Sequence, residues 1–90
     1  MRLKDKTAII TGASGGFGAA MTERFCAEGA RVLAADWNGE AADALTGRLK
    51  DAGHDVRARK VDVSDAREVE AMVKAAIDAF GRVDILVRSR

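Results

Sequence analysis

Thr7-Ala8-Ile9-Ile10-Thr11-Gly12-Ala13-Ser14-Gly15-Gly16-Phe17-Gly18 is a short apolar run that passes directly into a glycine-rich turn. Thr7 to Thr11 reads as a first strand. Phe17, Met21 and Phe25, with Ala20 between them, recur at helical spacing after the turn, and Gly29 is placed to end that helix. The three spaced glycines have separate physical reasons. Gly12 lets the chain turn sharply out of the strand. Gly16 removes a Cβ where backbone must approach a ligand, and Gly18 lets the helix pack tightly on the strands. A helix that starts near Gly16 aims unpaired N–H groups and the positive end of its dipole at the turn, which suits the phosphates of a nucleotide diphosphate. A plain strand-to-helix turn is the competing reading, and the flanking strand and helix count against it.

Working outward, the same alternation continues. Arg31 to Asp36 is a second, buried strand. Asn38 is placed to cap a second helix with Ala41, Leu45, Leu49 and Ala52 on one face and Gly53 after it. Val56 to Val61 is a third strand, in which Arg57 and Arg59 alternate with Val56 and Ala58 as expected at a sheet edge. Ser64 or Asp65 caps a third helix whose apolar face is Val69, Met72, Val73, Ala76, Ile77 and Phe80, and Gly81 ends it. Val83 to Val87 is a fourth strand. Strands that alternate with helices predict a parallel sheet with crossover helices. Right-handed connections then give a Rossmann-type α/β/α arrangement of four parallel strands in the order 3-2-1-4. The first two helices lie on one face and the third on the other. Residues 1–90 read as one partial dinucleotide-binding domain, half built, with an open edge at the fourth strand.

Composition narrows the classes. Ninety residues with 48% hydrophobic content are globular in character, and a chain of this size buries roughly 60–65% of its unfolded surface, which makes its stability marginal. Fifteen Lys and Arg against 14 Asp and Glu leave a net charge of only +1, too small to draw it to nucleic acid or to an anionic membrane. Its apolar runs are far shorter than a bilayer span, and Met1 to Lys6 has no apolar stretch behind it to make a signal peptide. The single cysteine, Cys26, fits a reducing cytoplasm and reads as a small core residue. His54 has no second His or Cys at ligand spacing, so no metal site is expected; it reads as an exposed turn residue.

Asp36 stands at the end of the second strand, 18 residues after Gly18. A carboxylate there can accept hydrogen bonds from both hydroxyls of an adenosine ribose and repels a 2′-phosphate. Ser14 is expected to order the glycine turn through its hydroxyl. It has no base beside it that would make it a nucleophile.

The string Thr11-Gly12-x-x-x-Gly16-x-Gly18 resembles the cofactor loop of the short-chain dehydrogenase/reductase family, and the resemblance runs from about Leu3 to Val87. It implies that Gly12, Ser14, Gly16, Phe17 and Gly18 form the loop that holds a dinucleotide. It also implies that Asp36 binds the adenosine ribose and selects NAD over NADP. Relatives that prefer NADP usually carry a basic residue in the loop or after the second strand, where this chain has Gly15 and Trp37. The pair Asp62-Val63, 26 residues after Asp36, is expected to hold the adenine, the carboxylate at its amino group and the Val63 backbone at the ring edge. Trp37 is open to two readings, a wall of the adenine pocket or an exposed loop residue.

The pattern departs from the family after Val87. The family's Asn-Asn-Ala-Gly is replaced by Arg88-Ser89-Arg90, which points to a frameshift, an early stop or a fragmentary gene model. Family members use a Tyr-x-x-x-Lys pair as proton donor and a Ser to orient the substrate oxygen. This sequence has no tyrosine, and Ser14, Ser64 and Ser89 fall in other segments. No residue is therefore expected to be catalytic. The substrate loop and the helices that build the usual oligomer interface are expected to be absent too. Three readings follow: the cofactor-binding half of an oxidoreductase acting on an alcohol/carbonyl pair, with 3-oxoacyl reduction one common family activity; a nucleotide-binding fragment without turnover; or a non-functional truncated product.

Overall fold

In the computed structural model, which describes residues 2–89, the opening apolar run is strand β1, Thr7–Thr11, with all five residues buried. Helix α1 follows over Gly16–Ala27 and strand β2 over Arg31–Asp36. Next come helix α2, Gly39–Asp51, strand β3, Val56–Lys60, helix α3, Ala66–Phe80, and strand β4, Ile85–Arg88. The four strands are parallel, in the order β3-β2-β1-β4. A strand with neighbours on both sides and helices over both faces has no solvated side. This is why β1 and most of β2 read as unbroken apolar runs.

Two clusters sandwich the sheet. On one face Ile10, Val32, Ala34 and Val56 pack with Cys26 of α1 and with Leu45 and Leu49 of α2. On the other, Ile9, Leu33 and Ala35 pack with Met72, Ala76 and Phe80 of α3. The expected division of two helices against one is therefore present. Edge strand β3 exposes Arg57 and Arg59 and buries Val56, and the Arg57 guanidinium lies 5.5 Å over the Phe80 ring.

Several expected details differ. Helix α1 buries Gly18, Thr22 and Cys26 and not the face containing Phe17, because the helix lies close enough to the sheet that small side chains fill the gap. Phe17 is 67% exposed, while Met21 and Phe25 are half-buried at the margin of the cluster. Helix α2 buries Ala42, Leu45, Thr46 and Leu49, and Ala52 is exposed. Asn38 caps it by accepting from the Ala41 N–H at 3.1 Å. Asp65 and not Ser64 caps α3, accepting from the Arg67 N–H at 2.9 Å, and Ile77 is exposed. His54 is half-buried. Strand β4 begins at Ile85 because Asp84 is spent on the start of β1. Its carboxylate accepts from the Thr7 N–H at 2.9 Å, its own N–H donates to the Thr7 carbonyl at 2.9 Å, and Arg82 donates to it from the side.

Candidate functional site

The C-terminal ends of β1, β2 and β3 lie side by side, and a cleft of about 410 Å³ opens above them. Its walls are Gly12, Ser14 and Gly15 from the turn after β1, Asp36, Trp37, Asn38 and Ala41 from the end of β2 into α2, and Val61, Asp62 and Val63 after β3. In open parallel sheets, ligands sit outside these strand ends.

The turn is built from a few constraints. Gly12 has φ 63°, the left-handed region that a side chain resists, so the chain leaves β1 abruptly. Ala13 is fully buried and its N–H donates to the Ala35 carbonyl at 3.0 Å, pinning the turn to β2. Gly15 N–H donates back to the Gly12 carbonyl at 3.1 Å. A Cβ on Gly18 would stand 2.0 Å from the Gly12 carbonyl oxygen. Gly18 is therefore required by the turn's own backbone, a more local reason than close packing on the strands. A Cβ on Gly16 would meet nothing within 4 Å, so the space before Gly16 is open.

Asp36 is the hub of this arrangement. It is 6% exposed. Its Oδ2 accepts from the Ser14 N–H at 3.0 Å and from the Ser14 hydroxyl at 2.7 Å, and its Oδ1 accepts from the Asn38 N–H at 2.9 Å. One carboxylate thus ties the glycine turn to the entry of α2. The ordering role expected of Ser14 has Asp36 as its partner, a link that sequence reading did not make.

The start of α1 differs from the starts of α2 and α3. Asn38 and Asp65 cap the latter two with side-chain oxygens. At α1 the capping residue is Gly15, no side chain among the described residues caps the first turn, and no acid lies in it. A helix start left this way presents donors and positive potential to whatever occupies the adjoining space.

Asp62 and Val63 lie at the opposite wall and are exposed. The Ser64 hydroxyl and N–H donate to Asp62 Oδ1 at 2.6 and 2.9 Å, and these bonds hold its carboxyl below the usual carboxylate range. The Asp62 N–H donates to Glu68 at 3.0 Å. Of the candidate residues, Gly12, Ser14, Asp36, Asp62 and Val63 line one cleft. Gly16, Phe17 and Gly18 stand just beyond it, at the start of α1. Trp37, 73% exposed, lines the cleft as well. Ala41 and Val61 were missed as walls; each carries only an apolar residue type, which reads as core. At the far side of the turn the Ser89 hydroxyl donates to the Thr11 carbonyl.

A family model described as short chain dehydrogenase matches residues 6–89. The chain is 44% identical over 87 residues to 3beta-hydroxysteroid dehydrogenase 2 of Eggerthella lenta, covering 97% of this chain and 34% of that protein. It is 43% identical over 88 residues to D-threitol dehydrogenase of Mycolicibacterium smegmatis, covering 98% of this chain and 34% of that protein. The crystal structure of a short chain dehydrogenase/reductase from Burkholderia phymatum in complex with NAD superposes with a TM-score of 0.92 at 36% identity, over 96% of this chain and 31% of that one. The hydroxysteroid dehydrogenase of Escherichia coli gives a TM-score of 0.94 at 37% identity, over 97% and 36%. The chain spans about a third of the length of these relatives.

Proposed function

The chain belongs to the short-chain dehydrogenase family, and from that premise we propose that it is the cofactor-binding part of an oxidoreductase that moves a hydride between NAD(H) and an alcohol/carbonyl pair. The observation that carries this reading is the Asp36 hub, which brings the glycine turn and the strand-end acid to one cleft. The similarity to a structure that binds NAD supports it. Gly12, Ser14, Gly16, Phe17 and Gly18 frame the pyrophosphate. Asp36, which also accepts from Ser14 and Asn38, receives the adenosine ribose hydroxyls. Asp62 and Val63 meet the adenine, with Trp37 beside it.

The open space at Gly16 and the uncapped start of α1 are the features that fit a pyrophosphate group. When bound, the nicotinamide of the cofactor supplies the hydride. Preference for NAD rests on Asp36: its carboxylate would face the extra 2′-phosphate of NADP, with no basic residue at Gly15 or Trp37 to offset the repulsion. The substrate is an alcohol or its carbonyl, of the kinds on which the named relatives act or a 3-oxoacyl chain. The tyrosine that the family uses for proton transfer does not occur in these 90 residues. That favours a second reading for them taken alone, dinucleotide binding without turnover.

Titration of NADH by fluorescence tests the proposal. A saturable signal with NADH, weaker with NADPH, is the expected result. No binding of NADH at millimolar concentration overturns the site, and equal affinity for the two cofactors overturns the role given to Asp36.

A further inference from the structure

We propose that Lys60 is a further specificity-determining residue: its ammonium group attracts the 2′-phosphate of NADP and offsets part of the repulsion from Asp36, so that the choice between the two cofactors is graded. This rests on the ribose role given to Asp36 above.

The sheet register puts the two residues side by side. Asp36 ends β2, Lys60 ends β3, and they are direct partners in the parallel pair, on strands about 4.8 Å apart. Alternation along each strand decides the face. Asp36 follows Val32 and Ala34 in steps of two, and Lys60 follows Val56 in the same way; those three apolar residues pack in the cluster beneath α1 and α2. Acid and lysine therefore share the face on which α1 and α2 lie. The lysine stem has a defined course. A Cβ on Gly39, the first residue of α2, would stand 3.3 Å from Lys60 Cβ and 3.7 Å from its Cγ and Cδ. The bare glycine leaves the room in which the stem crosses the start of the helix. Lys60 lines a second hollow of about 450 Å³ with Trp37, Asp62 and Glu68. Trp37 and Asp62 also line the first cleft, so the two spaces adjoin.

The ammonium group is available. Lys60 is exposed, and among the described residues it enters none of the ion pairs. The acids of its hollow have other partners: Asp62 accepts from Ser64, and Glu68 accepts from the Asp62 N–H. The walls of the first cleft carry Asp36 and Asp62 and, among the described residues, no Lys or Arg. A phosphate added to the ribose would thus meet Asp36 with no cation in the cleft wall, and Lys60 is the cation next to Asp36 in register.

The test titrates NADH and NADPH into the full 90-residue chain, read by fluorescence at low salt and at about 0.5 M salt. Lys60→Met keeps an apolar stem against α2 and removes the charge. It is expected to weaken NADPH about two- to fivefold at low salt, the size of an exposed charge pair, and to leave NADH unchanged. The loss should shrink at high salt, where exposed charges are screened. Lys60→Glu should weaken NADPH further, and Lys60→Arg should retain most of its affinity. Equal losses for the two cofactors, or no loss for either, overturn the inference while the cleft reading stands. So does absence of NADPH binding at millimolar concentration in a chain that binds NADH. Failure of the unaltered chain to bind NADH overturns both. Thermal unfolding of each variant separates a binding loss from a folding loss.

Discussion

Gly16 and Gly18 stand two residues apart and should respond to substitution in opposite ways. A Cβ on Gly18 collides with the Gly12 carbonyl oxygen, so Gly18→Ala should destabilise the fold on the order of 3 kcal/mol, read as a large fall in Tm. Gly16→Val enters open space; Tm should hold while NADH binding is lost. A large fall in Tm for Gly16→Val, or unchanged NADH affinity, would contradict the division of roles. At the hub, Ser14→Ala removes the 2.7 Å bond to Asp36 and keeps the 3.0 Å backbone bond. It should cost about 1 kcal/mol, measurable by denaturant titration. Asp36→Ala strands the donors of both Ser14 and Asn38 and should cost more. It should also weaken NADH and narrow the gap to NADPH, and an unchanged NADH/NADPH ratio would count against its ribose role. The glycine spacing was legible in sequence because each constraint acts within a few residues. The Ser14–Asp36 bond was not, because it joins residues 22 apart through the register of β1 and β2.

At the scale of elements, apolar periodicity located the helices better than it chose their buried faces. Helix α3 packs large side chains, and Met72, Ala76 and Phe80 fall inside as their spacing indicated. Helix α1 packs Gly18, Thr22 and Cys26. A count of large apolar residues points instead to Phe17, because close approach to the sheet selects for small size and not for hydrophobicity. Thr22 escapes the usual cost of burial by donating its hydroxyl to the Gly18 carbonyl at 2.8 Å. Strand β4 is joined to β1 at its base through Asp84, whose carboxyl is held below the usual carboxylate range by the Thr7 N–H and then by Arg82. A carboxyl depressed in the folded state contributes stability that is complete above its unfolded pKa of about 4. That contribution is lost as pH falls through the lower folded value. The midpoint of unfolding should therefore drop below about pH 4, and Asp84→Asn should flatten that part of the profile. An unchanged profile in the variant would remove Asp84 from the acid response.

Across the whole molecule the two sheet faces are unequally covered. Leu86, paired in register with the buried Ile9 on the α3 side, is 48% exposed, and Ile77 of α3 is 46% exposed. Exposed apolar residues of this size favour self-association. Leu86→Lys and Ile77→Lys should each shift the chain toward monomer in light scattering and leave NADH affinity unchanged; no change in mass would show that this face is inert. The sheet order and the two-against-one division of helices were legible because right-handed crossovers leave few alternatives. The uneven cover at residue level was not, since it depends on where α3 comes to rest. One buried atom offers a way to watch all of this at once. Cys26, the single cysteine, is 2% exposed in the cluster beneath α1, and burial followed by the charge of Asp55 pushes its thiol up to about 11. At neutral pH it is both hidden and protonated, so an alkylating reagent can reach it only when the layer under α1 opens. Its labelling rate is then a clock for that opening. A dinucleotide that binds only the closed form should slow the clock in proportion to its occupancy, reporting cofactor affinity from a position that the cofactor never touches.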